Sequence, residues 1–213
     1  MPTKPPSACL LFGGGGHARV VLDALIASRP HMSIDIWDDN PALAATTILS
    51  LQVQVPISAA DPNGRQCHVA IGHNSTRRQV ATNLRERGGQ LLNILHPAAC
   101  VSPYSTVGHG CFLAAGAILA PEAELGDGVI VNHSAVVDHH CRIGAWSHVA
   151  PGAVIGGGVI ASTGVMLGAG CIVLPGIRIG ENSIIGAGAV VTRDVAAGET
   201  WAGVPAKELY GRR

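Results

Sequence analysis

The sequence predicts two domains: a small parallel α/β unit and, after it, a solenoid of short β-strands. Three observations predict this. From Val101 to Val191 an apolar residue recurs at every sixth position through sixteen unbroken units. Four residues after each stands a second residue, mostly small and uncharged. Upstream of residue 96, strand-like apolar runs alternate with helically spaced segments, and glycine clusters punctuate them.

The six-residue period decides the second domain. No helix repeats every six residues, and a lone amphipathic strand repeats every two. The first column opens Val101, Val107, Leu113 and closes Ile179, Ile185, Val191; fifteen of its sixteen members are branched aliphatics. The second opens Ser105, Cys111, Ala117 and closes Ser183, Ala189, Val195. Glycine often follows the first column, as at Gly108, Gly126, Gly144 and Gly156. Each hexad then supplies one short flat strand with one large inward side chain, and the small residue fits near a corner. Three hexads close a triangular coil of about 18 residues, so the repeat makes a little over five coils. Neighbouring coils pair in parallel and stack like aliphatics, so no coil is stable alone. A purely structural or ice-binding β-helix shares the repeat; the polar corner residues below argue against it.

The first domain reads in order. Residues 8–12 form a buried strand, followed by Gly13, Gly14, Gly15, Gly16, His17 and Ala18, and then by helical spacing over 20–27. Residues 33–37 form a second strand that ends at Asp38 and Asp39. Residues 52–55 suit a short strand, and 67–71 a further one closed by Gly72, His73 and Asn74. Ser75 is the expected cap of a helix running to about residue 87. Gly88 and Gly89 end it, and 90–95 is the last strand. The domains are expected at 1–95 and 96–196, with a tail at 197–213.

Composition narrows the function. The 213 residues carry 14 basic and 14 acidic side chains, and this balance points away from nucleic acid. Charged residues make up 13% and aromatic residues 3%, low values that suit glycine corners and a small aliphatic core. The six cysteines lack metal-type spacing, and Cys111, Cys141 and Cys171 fall in the small inward column. That favours a reducing cytoplasm over a disulfide framework. The N-terminal stretch lacks the apolar run of a signal peptide, and no run of apolar residues is long enough to span a membrane.

Two clusters carry chemistry. A glycine-rich turn between strand and helix lets backbone N–H groups approach a phosphate at a helix N-terminus. Asp38, at the end of the second strand of this small Rossmann-like unit, lies about where a ribose hydroxyl is read. A nicotinamide dinucleotide and a nucleotide-sugar diphosphate both fit; the half-sized sheet argues against the first. In the solenoid, His139 and His140 are the third and fourth residues of their hexad and so belong to an outward corner, with Asp138 beside them and Asn132 one hexad earlier. Histidine suits a general base near neutral pH, although a lone corner histidine is often merely solvated. A zinc site of the carbonic-anhydrase kind, with two histidines five apart, does not fit His133, His139, His140 and His148, so no metal is expected.

GGGGHA, VAIGHN, VVDHHCRIG, SHVAPGA, LGAGCIVLPG and the ending WAGVPAKE, in this order, resemble the bacterial sugar acyltransferases of the sialic-acid O-acetyltransferase type. That group includes N-acetyltransferases of nucleotide-linked 4-amino-4,6-dideoxy sugars. The resemblance covers nearly the whole chain. It implies a left-handed parallel β-helix, whose coiling runs against the usual right-handed crossover. It also implies acetyl-coenzyme A (acetyl-CoA) as donor, a homotrimer and active sites between subunits.

Carried over by position, the resemblance makes His139 the base. The family has Asp or Glu directly after this histidine to orient the ring; here His140 stands there, and Asp138 is the candidate substitute. His17, contributed by an adjacent subunit, would help hold the nucleotide sugar. Gly14, Gly16, Asp38, Asp39, Asn74 and Arg77 fall on or near nucleotide-contacting positions, and Asn132 would face the sugar. His148 would contact the thioester end of the donor. Gly157, Ala169 and Ala187 would line the pantetheine arm, and Lys207 would lie near the nucleotide end of coenzyme A. The inward placement of the cysteines favours direct transfer without an acyl-enzyme. The expected protein is a cytoplasmic trimeric acetyltransferase acting on the 4-amino group of a UDP- or GDP-linked sugar. The alternatives are sialic-acid O-acetylation and a non-catalytic nucleotide-sugar-binding scaffold.

Overall fold

The computed structural model describes residues 8–209. The chain divides into two compact units, Met1–Pro97 and Ala98–Arg213. In the first, the order is β1 (Cys9–Phe12), α1 (Gly16–Ser28), β2 (Ile34–Trp37), β3 (Thr47–Ile48), β4 (Leu51–Gln54), β5 (Gln66–Val69), α2 (Asn74–Glu86) and β6 (Gln90–Leu91). The sheet order is β3-β4-β2-β1-β5-β6. Every pairing is parallel except the antiparallel β3–β4 edge.

β1 is the axis of this sheet, and all four of its side chains are fully buried. Burying a side chain such as Leu10, Leu11 or Phe12 contributes about 1.5–3 kcal/mol. Helix α1 buries Ala18, Val21, Leu22 and Leu25, the i, i+3, i+4, i+7 stripe of its apolar face, with Ala24 beside it. Helix α2 is polar and buries only Arg77, Ala81 and Leu84.

Three local expectations are corrected. Helix α1 starts at Gly16, before the spacing at 20–27, because Gly16 already takes up helical backbone, with Gly15 as an extended N-cap. Ser75 does not cap α2; His73 occupies the N-cap position, and its ring Nδ1 bonds Thr76 Oγ1 at 3.0 Å and Ser75 Oγ at 3.2 Å. The helix begins one residue before Ser75, which leaves that hydroxyl inside the first turn. The expected strand over 90–95 is two strands, Gln90–Leu91 and Ile94–Leu95, because only the first pairs with β5.

The second unit is a left-handed parallel β-helix of two-residue strands. One sheet stacks Phe112–Leu113, Ile130–Val131, His148–Val149, Met166–Leu167 and Ile184–Ile185. Thr200–Ala202 adds to that sheet in parallel, and Lys207–Glu208 pairs antiparallel with it, so the tail continues the same sheet. The second sheet runs from Cys100–Val101 to Val190–Val191, and the third from Thr106–Val107 to Arg178–Ile179. Inward aliphatics form continuous stacks: Leu113, Val131, Val149, Leu167 and Ile185 are fully buried, and Trp201 closes the column at 5% exposure.

The small column explains itself in three dimensions. Buried Ser147 Oγ donates to Ser162 O at 3.1 Å and accepts from Val165 N–H at 3.1 Å, so its hydroxyl is satisfied at the corner. Ser183 Oγ donates to Ala196 O at 2.7 Å. Glycine after the aliphatic has an equally local cause. A Cβ at Gly144 would meet the Ser162 carbonyl carbon at 2.4 Å, and one at Gly126 the Ala145 nitrogen at 2.6 Å.

The three faces differ in chemistry. Outward positions of the third sheet are Thr106, Glu124, Arg142, Ile160 and Arg178. Those of the second are Cys100, Ile118, Val136, Val154, Ile172 and Val190, an aliphatic stripe in which Ile118, Val154 and Ile172 are exposed in the single chain.

Candidate active site

The glycine loop of the first unit is tied to the acid at the end of β2. Gly13 N–H donates to Trp37 O at 2.7 Å, and Gly14 N–H donates to Asp38 Oδ2 at 2.6 Å. Asp38 Oδ1 accepts from Asn40 N–H at 2.7 Å. The carboxylate therefore bridges the two strand ends, and Gly14 gives its N–H to Asp38 rather than to an outside anion. A Cβ at Gly14 would meet Leu43 Cδ1 at 2.9 Å, whereas one at Gly16 would meet nothing within 4 Å. Gly16 opens α1, with half-buried His17 next to it. Asp39 Oδ1 accepts from Ile57 N–H at 2.8 Å.

Arg77 is 2% exposed. Its guanidinium donates to Ile71 O at 3.1 Å, Gly72 O at 3.0 Å and Asn74 Oδ1 at 3.0 Å. It thus holds the loop after β5 from inside, which explains a fully buried cation on a polar helix.

In the β-helix, Asn132 and His148 are brought together, each 8% exposed. Asn132 Oδ1 accepts the His133 N–H at 2.9 Å, which turns its Nδ2 toward His148 Nε2 at 3.2 Å. With the amide oriented this way, Nδ2 donates and His148 Nε2 accepts.

The His139 corner gathers Glu122, Asp138, His139 and His140. His139 Nδ1 lies 2.9 Å from His140 Nδ1, with the rings edge to face at 89°. His140 Nε2 lies 2.8 Å from Glu122 Oε2. Asp138 Oδ1 accepts from the backbone N–H of His139 at 2.7 Å, so this oxygen holds the turn, while the ring of His139 is held by His140. Gly157 packs against the ring: a Cβ there would sit 2.7 Å from His139 Nε2. Glu122 is the residue that sequence reasoning missed. It precedes His140 by 18 residues, one coil, and that spacing was its available signal.

Ala169 and Ala187 occupy one exposed corner column, joined by Gly188 N–H donating to Ala169 O at 2.8 Å. Lys207 is exposed on the terminal strand pair. Burial pushes the Cys171 thiol up to about 12 and raises that of Cys141. Among the described residues no cluster of three or more His, Cys, Asp or Glu could hold a metal ion. No helix of the described residues is long and apolar enough to cross a membrane.

Comparison with known proteins agrees with both units. Residues 9–84 match the PglD N-terminal domain, and 122–157 and 163–193 match the bacterial transferase hexapeptide repeat. The chain is similar to the acetyltransferase domain of PglB from Neisseria gonorrhoeae FA1090, at 32% identity, 95% coverage of this chain, 100% of that chain and a TM-score of 0.91. The same domain in complex with acetyl coenzyme A matches at 32% identity, 96% and 100% coverage and a TM-score of 0.90. A histidine-to-asparagine mutant of perosamine N-acetyltransferase from Caulobacter crescentus, in complex with CoA and GDP-perosamine, matches at 36% identity, 96% and 97% coverage and a TM-score of 0.89. On its repeat, its two-unit fold and these full-length likenesses, the chain belongs to the hexapeptide-repeat sugar acyltransferases that carry a PglD-type N-terminal domain.

Proposed function

We propose that the protein transfers acetyl from acetyl-CoA to the 4-amino group of a UDP- or GDP-linked amino-dideoxy sugar, with His139 as general base. One observation carries this reading: Nδ1 of His139 is engaged by His140, so Nε2, beside the side-chain-free Gly157, is the nitrogen that takes a proton. The amine lone pair attacks the thioester carbonyl carbon, and the amine proton passes to Nε2. The carbon–sulfur bond then breaks, and the proton goes on to the departing thiolate. A positioned base contributes roughly 10²–10⁴-fold. The raised thiols of Cys141 and Cys171 supply no thiolate near neutral pH, which supports direct transfer.

The nucleotide sugar is assigned to Gly16, His17, Asp38, Asp39, Asn74 and Arg77, with Asn132 toward the sugar and Gly14 acting through its N–H on Asp38. Gly16 at the α1 N-terminus offers the anion-favouring end, and Asp38 accepts from a ribose hydroxyl. Arg77 acts by shaping its loop. His148, Gly157, Ala169, Ala187 and Lys207 are assigned to the donor. The perosamine relative, whose structure holds both CoA and GDP-perosamine, supports this pairing of substrates. The aliphatic stripe of the second sheet supports a homotrimer, since solenoid faces of this kind are covered by association. The six cysteines form no disulfide among the described residues, which suits a reducing, cytoplasmic setting.

The test is acetyl-CoA consumption with UDP- and GDP-linked 4-amino sugars and with free sialic acid. Turnover with a nucleotide-linked amino sugar is expected. Turnover with sialic acid alone would replace the reading by O-acetylation, and turnover with none by a binding scaffold.

A further inference from the structure

We propose that Glu122 is a positioning residue for acetyl transfer, setting the tautomer of His139 through the ring of His140. The inference rests on His139 as the base. It concerns what readies that base when the usual neighbouring acid is replaced by a second imidazole.

The argument is one of hydrogen counting along three groups. An ionised carboxylate only accepts, so the 2.8 Å contact to Glu122 Oε2 requires the hydrogen on His140 Nε2. A neutral His140 then has its lone pair on Nδ1. The 2.9 Å Nδ1–Nδ1 contact accommodates one hydrogen, which must belong to His139. A neutral His139 with Nδ1–H carries its lone pair on Nε2, the nitrogen beside Gly157. Glu122 therefore fixes, two rings away, which nitrogen of His139 accepts the substrate proton. After transfer, the imidazolium still donates Nδ1–H to His140, and the new positive charge faces a chain that ends in a carboxylate.

The backbone supports this arrangement. Glu122 and His140 stand one above the other at the same corner and share left-handed backbone, φ 62° and 59°. The next two coils place Gly158 and Gly176 at that corner, with φ 71° and 76°. Glycine is the residue that this conformation favours. Glu122 and His140 are the two left-handed residues of this corner that are not glycine, and their side chains meet. Asp138 does not duplicate the role, since its Oδ1 is on the His139 backbone N–H. Arg142 and Glu124, which line the same pocket as Glu122 and His140, pair with each other at 3.6 Å.

Glu122 is solvent-exposed, its side chain 64% accessible, so its substitution leaves the core intact and its electrostatic contribution is modest. The experiment measures kcat and KM on the full-length protein for wild type, Glu122→Gln, Glu122→Asp, His140→Ala, the Glu122→Gln/His140→Ala double variant and His139→Ala. Glu122→Gln is expected to lower kcat roughly 3–10-fold with both KM values little changed, the pattern of a group that acts on the transition state. Glu122→Asp should retain more activity than Glu122→Gln. In the His140→Ala background, Glu122→Gln should have no further effect, because the connection is already cut. Wild-type kcat in Glu122→Gln, or the same loss with and without His140, overturns the proposal while His139→Ala remains strongly impaired. Wild-type turnover in His139→Ala overturns the base assignment instead, and with it the need for a relay. A measurement without substrate stands beside these: ¹⁵N spectra of the imidazoles should show His139 protonated at Nδ1 and His140 at Nε2. The opposite tautomer at His139 in the wild type overturns the proposal.

Discussion

A Cβ at Gly157 would stand 2.5 Å from Cε1 and 2.7 Å from Nε2 of His139, so only a residue without a side chain leaves the imidazole where it is. Gly157 was expected to pass the pantetheine arm close to backbone; it also packs against the ring of His139, the proposed base. Gly157→Ala should push the ring aside, since a flexible side chain yields more readily than backbone. Misplacing a catalytic group by about 1 Å costs up to about 100-fold. We expect kcat to fall roughly 10–100-fold with the melting temperature nearly unchanged. Steady-state kinetics separate the two roles: a change confined to KM for acetyl-CoA would leave only the pantetheine contact.

Gly16→Val tests the other end of the chemistry. The space around Gly16 is open, so the fold tolerates the larger residue. The branched side chain crowds the α1 N-terminus, where an anionic ligand needs close backbone approach. Calorimetric titration should show nucleotide-sugar binding weakened about tenfold or more, equivalent to at least about 1.4 kcal/mol, with acetyl-CoA binding unchanged. Equal loss of both ligands, or of neither, would remove the acceptor from this loop.

Val154→Glu addresses assembly. Light scattering of the wild type should give about 65 kDa, three times the 21.7 kDa chain. A carboxylate in the centre of the aliphatic stripe formed by Ile118, Val136, Val154, Ile172 and Val190 leaves an unpaired charge in any interface that covers it. The variant should be monomeric at micromolar concentration and inactive. A wild-type monomer, or an active trimeric variant, would exclude this face from assembly.

His68 gives the first unit an acid sensitivity. It is 1% exposed and its Nδ1 lies 2.9 Å from Leu92 O. Burial lowers its pKa from 6.5 to about 4. Above pH 6.5 both folded and unfolded forms are neutral, and the group makes no pH-dependent contribution. Below 6.5 the unfolded chain binds the proton first, so stability falls as the pH drops toward 4 and the effect saturates there at about 3 kcal/mol. Thermal melts at pH 7 and pH 4.5 should show a larger acid loss for wild type than for His68→Leu. Parallel losses would assign the acid sensitivity to other groups.

The sequence by itself determined the solenoid, its coil length and the inward columns, because each of these is a local feature repeated many times. Val131 and Val149 need only their own spacing to be placed in one stack. It also determined that His139 lies at a corner and that a glycine loop opens the first helix. It did not determine the cap of α2: Ser75 has the residue type of a cap, but His73 takes the position, at the end of a loop whose carbonyls at Ile71 and Gly72 accept from Arg77. Nor did it determine the partner of the His139 ring. Successive residues at a turn usually diverge, and only the left-handed backbone at His140 accompanies the approach of its ring to His139. Glu122 is distant in the chain and becomes a neighbour because coils stack at an 18-residue step. Tertiary structure decided which nitrogen meets which oxygen, because that depends on the direction of side chains across coils, and periodicity carries only their positions.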